Sequence, residues 1–130
     1  MLLTEDQQAL HDVASRFARE RLRPGYQQRE NESGIDRALC REMGALGLVG
    51  IDLPEAFGGM GQSGVTAGLI VEAIAYGDFN VSYVQLLASL MGMIVARNAP
   101  AELGRAWVPK LIAGALRATI IPISDASSCT

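Results

Sequence analysis

Leu10, Val13, Ala14, Phe17, Ala18 and Leu22 recur at helical spacing and form one apolar stripe, while Arg16, Arg19, Glu20 and Arg23 fall mostly elsewhere. Thr4 and Gln7 stand ahead of the stripe as a capping-box pair, and Glu5 and Asp6 put negative charge where the helix dipole favours it. The pattern predicts a first helix from Thr4 to the Pro24-Gly25 break. Gln27 to Gly34 is polar and reads as an exposed connection to a second helix capped at Ser33 or Asp36. Leu39, Met43 and Leu46 give that helix its buried side, and Gly47 stands where a left-handed cap is expected.

The run GLVGIDLPEAFGGMG combines five glycines and a proline with Leu48, Val49, Ile51, Leu53 and Phe57. Such a run needs both special backbone angles and burial, and it predicts a structured, packed loop. A third helix from about Ser63 to Tyr76 carries Val65, Leu69, Ala73 and Tyr76 on one side, with Ile70 and Ile74 widening the apolar face. Asp78 or Asn80 caps a fourth, in which Val81, Val84, Leu87, Leu90, Met91, Ile94 and Val95 leave few polar sites. A shorter helix from Ala101 to about Val108 buries Leu103 and Trp107, and one more turn runs from Pro109 to Gly114. Arg117 to Ile123 is the one strand predicted.

The 130 residues correspond to one domain, and 49% hydrophobic against 19% charged residues exclude disorder as the main state. A net charge of -3 gives no field toward phosphate backbones, so nucleic acid is excluded as a partner. Between Ala56 and Ala96 only Glu72 and Asp78 carry charge, which predicts burial of this stretch. Its most apolar part falls short of a membrane span and contains Ser82, Gln85, Ser89 and Gly92; a core helix is expected, not a transmembrane one. Cys40 and Cys129 show no zinc or disulfide spacing, and the N-terminus has no leader pattern, so the chain is expected to start here and to be cytoplasmic.

Gly59-Met60-Gly61-Gln62-Ser63-Gly64 matches a dinucleotide-binding fingerprint, with Asp78 at a fitting distance, but no strand runs into the glycines and helix precedes the acid. His11, the only histidine, reads as a solvated residue on the flank of the first helix. Glu72 and Asp78 must each reach solvent or find a partner. No residue set of metal-ligating spacing stands out, and no metal site is expected.

As strings, LTEDQQALHDVASRFARERLRP, MGALGLVGIDLPEAFGGMGQS, LIVEAIAYGDFNVSYVQ and VARNAPAELGRAWVPKLIAGALRAT follow one another as in the N-terminal domain of the acyl-CoA dehydrogenase family, which the chain resembles along nearly its whole length. Ala99-Pro100 stands where that family usually has Gly-Thr. The resemblance implies an all-α, up-and-down helical bundle of about five or six helices with a short β stub at the C-terminal end. It divides the chain into a helical domain over residues 1–116 and the incomplete start of a middle β-domain over residues 117–130.

The resemblance further implies an FAD-dependent enzyme that oxidises an acyl-CoA thioester at its α,β carbons, a glutamate taking the α-proton while the β-hydride passes to FAD. That glutamate belongs to the family's C-terminal domain, so no catalytic residue is assigned in this chain. The family's flavin-contacting Thr-Glu-Pro-x-x-Gly-Ser-Asp falls on ISDASSCT, which departs from it. Ile123 stands at the threonine in ungapped register, and a one-residue shift brings Ser124 there instead; these two are the candidate cofactor contacts. The family walls its acyl cavity with the fourth helix, which makes Leu87, Leu90, Met91 and Ile94 the candidate substrate contacts, equally readable as ordinary core. The expected state is a homo-oligomer, inactive alone. The alternative is a truncated homologue serving as a helical binding or assembly module.

Overall fold

A computed structural model describes residues 2–115 of the chain. The predicted strand over residues 117–123, and with it Ile123, Ser124 and Cys129, lies outside the described residues. Within them the architecture is helical throughout: α1 (Glu5–Phe17), α2 (Tyr26–Glu30), α3 (Arg37–Ala45), α4 (Gly64–Gly77), α5 (Phe79–Asn98) and α6 (Ala101–Ile112). α4 packs between α1 and α5, and α5 between α4 and α6.

The start of α1 follows the sequence signal. Gln7 N–H donates to Thr4 Oγ1 at 3.2 Å and Thr4 N–H to Gln7 Oε1 at 3.0 Å. Gln7 Nε2 then donates to Thr66 Oγ1 at 3.0 Å, joining this cap to that of α4, where Ser63 Oγ receives Thr66 N–H. The far end differs from expectation. The helix does not run evenly to Pro24: Ala18–Leu22 widens into a π turn, in which Arg23 N–H reaches back to the Ala18 carbonyl, and Arg23–Gly25 tightens into a 3-10 turn. The widening lies against the end of α4. A Cβ on Gly77 would stand 2.6 Å from the Ala18 carbonyl oxygen.

The polar stretch after Gly25 is only partly an exposed connection. Tyr26–Glu30 is helical, and it carries Arg29 to the buried Asp78. Asp36, of the two caps considered, begins α3 by accepting Ala38 N–H. At the other end Gly47 takes φ +72°, with Gly47 N–H donating to Gly44 O and Leu48 N–H to Met43 O, both at 3.0 Å. Both bonds of a Schellman cap are thus present, and Leu48 and Met43 are buried together behind it. α6 ends the same way at Gly114, with Pro109 inside the helix instead of starting a new turn.

The core gathers Phe17, Leu22, Met43, Leu48, Ile51, Ile70, Ile74 and Val81. Two predicted faces are rotated from their expected positions. α4 buries Thr66, Ala67, Ile70, Ala73, Ile74 and Gly77, leaving Val65 58% and Tyr76 68% exposed. α6 buries Gly104, Val108 and Leu111, leaving Leu103 and Trp107 each 47% exposed. In each helix a glycine takes one inward position, Gly77 against the Ala18 backbone and Gly104 against the Phe57 ring, because the neighbour comes too near for a larger side chain.

Candidate functional site

α5 shows the same inversion along its whole length. Its buried residues are Val81, Ser82, Gln85, Ala88 and Gly92, mostly small or polar. Large apolar residues point outward: Phe79 is 64% exposed, Leu90 45% and Ile94 47%, with Tyr83 and Leu86 between them. The candidate substrate contacts fall on this side: Leu90 and Ile94 are exposed, and Leu87 and Met91 half-buried beside them. The structure brings these four residues onto one open face instead of sinking them in the core.

The inward side of α5 is occupied by the glycine loop. Gly50 N–H donates to Gln85 Oε1 at 2.7 Å, Gln85 Nε2 donates to Ser89 Oγ at 2.9 Å, and the Ser89 hydroxyl donates to Asp52. This chain satisfies a fully buried glutamine and fixes the loop to the helix at two places. Sequence reasoning missed it, since nothing local to Gln85 or Ser89 marks a partner more than thirty positions away.

Apolar contacts complete the seat. Leu53 is fully buried and rests over Gly92, where an added Cβ would come within 2.6 Å of its Cδ1. Phe57 rests on Gly104 of α6 in the same manner. Gly61 N–H donates to Leu53 O at 2.9 Å and Gln62 N–H to Ile51 O at 3.1 Å, so the loop folds back on itself before Ser63 opens α4. Two glycines of the dinucleotide-like run serve this fold-back: a Cβ on Gly59 would overlap the Leu53 carbonyl at 2.0 Å and Gly61 takes φ +61°, whereas Gly64 has nothing within 4 Å of an added Cβ. Among the described residues no strand leads into them.

α5 is long and apolar enough to cross a membrane by length and composition alone. Its inward side is nonetheless committed to the loop through Gln85, Ser89 and Gly92, and the helix packs against α4 and α6.

Asp78 caps α5 by accepting Asn80 N–H at 3.0 Å and Val81 N–H at 3.3 Å through Oδ1, while Oδ2 receives Arg29 Nε at 2.8 Å. The same guanidinium donates to the Leu22 carbonyl. The buried carboxylate therefore found a partner, as its setting required, and its role is architectural. Glu72 is exposed, resolving its own alternative in favour of solvent. His11 is half-buried rather than solvated; it lines a concavity of about 730 Å³ between α1 and α4 with Ser15, Arg19, Leu69, Glu72 and Tyr76, and its Nδ1 lies 3.4 Å from Ser15 Oγ.

Among the described residues no three His, Cys, Asp or Glu gather as a metal site. What they present is an apolar wall on a rigidly seated helix.

The family model described as acyl-CoA dehydrogenase, N-terminal domain, matches residues 4–115. The mitochondrial isobutyryl-CoA dehydrogenase of Dictyostelium discoideum is 29% identical over 110 residues, covering 85% of this chain and 26% of the relative. The benzylmalonyl-CoA dehydrogenase of Aromatoleum aromaticum is 33% identical over 90 residues, covering 69% of this chain and 24% of the relative. Among solved structures, a glutaryl-CoA dehydrogenase from Mycobacterium smegmatis in complex with FADH2 superposes with a TM-score of 0.80 at 23% identity, covering 88% of this chain and 30% of that one. The chain spans about a quarter of the length of these curated relatives.

Proposed function

Because the chain belongs to the acyl-CoA dehydrogenase family, as its N-terminal domain, we propose that it supplies one wall of the acyl pocket and part of the subunit contacts in an FAD-dependent α,β-dehydrogenation of an acyl-CoA thioester. One observation carries the reading: α5 turns its large apolar side chains out and its small and polar ones in. A helix so arranged buries little of its own apolar surface, and it gains that burial only when something apolar lies along it. An acyl tail along Leu87, Leu90, Met91 and Ile94 satisfies this requirement.

In this reading FAD and the proton-abstracting glutamate are held by parts of the protein outside residues 2–115, and the chain by itself does not turn over. The assembly is a homo-oligomer and works in the cytoplasm. The test is the absorbance spectrum of the purified 130-residue chain, before and after an acyl-CoA is added. The expected result is no stoichiometric flavin and no bleaching; a chain that copurifies with FAD and reduces it would overturn its insufficiency.

A second reading, a helical assembly module, is favoured by the exposure of Leu103 and Trp107 in addition to the α5 face. It requires self-association of the isolated chain, and a clean monomer by sedimentation equilibrium would remove it.

A further inference from the structure

We infer that the open face of α5 accepts uncharged acyl groups and rejects acyl groups ending in a second carboxylate. This rests on the reading that the face walls an acyl tail, and it divides the substrates named for the relatives: an isobutyryl group is neutral, whereas benzylmalonyl and glutaryl groups carry a free carboxylate.

From Phe79 to Ala96 no residue of α5 carries a charge. Three of the helix's polar side chains are engaged on the inward side, and the hydroxyl on the open face, that of Tyr83 one turn ahead of Leu87, is neutral. Ser82 donates to the Phe79 carbonyl at 2.6 Å, Gln85 joins Gly50 to Ser89, and Ser89 gives its proton to Asp52. A carboxylate laid on Leu87, Leu90, Met91 and Ile94 would lose water without gaining a cationic partner, an unfavourable way to bury an ion. Behind the wall, Ser89 is bonded to Asp52, which carries the same sign. Arg97, the one cation on the helix, stands a turn beyond Ile94 at its C-terminal end.

The experiment is a titration of the full 130-residue chain with octanoyl-CoA and with the monothioester of octanedioic acid. The two ligands share the CoA group and the carbon count. Methyl-resolved NMR reads the site, and about 0.15 M salt limits long-range repulsion from the chain's net charge. Octanoyl-CoA is expected to shift the methyls of Leu87, Leu90, Met91 and Ile94, and the octanedioyl ester to bind them at least about tenfold more weakly. Leu90→Arg, at a half-exposed position where the fold tolerates it, is expected to shrink that ratio by supplying the missing partner.

Equal binding of both esters at these methyls, or binding of the octanedioyl ester that Arg97→Gln abolishes, overturns the inference and leaves the acyl-wall reading standing. No shift at the four residues with either ester, or shifts confined to the His11 concavity, overturns the reading itself and the inference with it.

Discussion

Arg29 Nε lies 2.8 Å from Asp78 Oδ2, so a residue on the short α2 neutralises the carboxylate that starts α5, 6% exposed in the core. Removing the cation strands a buried charge. Arg29→Met is expected to destabilise the chain by about 3 kcal/mol, measured by urea unfolding. Arg29→Lys should recover only part of the loss, because a single ammonium cannot reproduce the paired contacts to Asp78 and the Leu22 carbonyl.

Glycines of α4 are expected to respond to the same substitution with opposite signs. Gly68 has nothing within 4 Å of an added Cβ, so Gly68→Ala should stabilise by about 0.5–1 kcal/mol through helix propensity. Gly77→Ala would press on the Ala18 backbone at 2.6–2.8 Å and should destabilise by about 1–3 kcal/mol. Thermal melts of the two variants beside the parent check both signs.

Gln85→Leu should cost about 1–3 kcal/mol, because it leaves the Gly50 N–H buried without an acceptor. Amide exchange at Gly50 is the specific readout, expected to rise far more than exchange within α1. An unchanged Gly50 rate would show that the loop is held by Leu53 and Phe57 alone.

Arg21 grips Glu42 with two bonds of 2.8 and 2.9 Å, and this hydrogen-bonded pair holds the Glu42 carboxyl below the usual glutamate range. A depressed carboxyl contributes stability above its unfolded pKa, about 4.3, and the contribution is lost as pH falls through the lower folded value. Carbon-detected titration of Glu42 is expected to give a midpoint that moves upward in Arg21→Met. Salt should narrow the difference, since the pair is largely exposed.

Much of the architecture was legible in the order of residues because it depends on near neighbours. Thr4 with Gln7, Ser63, Asp78 and Gly47 act on backbone groups within a turn, and each sits where its chemistry predicts. The resemblance to the family likewise rested on ordered local strings. What was not legible depends on partners distant in sequence. Val65, Tyr76, Leu103 and Trp107 look like core residues by periodicity, yet Gly77 and Gly104 take the inward positions because Ala18 and Phe57 press against them. The four candidate acyl contacts lie on one face of α5, but periodicity could not say that this face is open. Gln85 and Ser89 are polar in an apolar run, but their partners Gly50 and Asp52 stand more than thirty positions away.

The π turn at Ala18–Leu22 acts as a phase adjuster. A regular helix advances about 100° per residue, so the added residue sets the heading from which Tyr26 to Glu30 depart. Deleting one residue there would straighten the rod and rotate everything after it by roughly that angle. Arg29 would then swing away from Asp78, and a change at the surface of α1 would be felt at the first turn of α5.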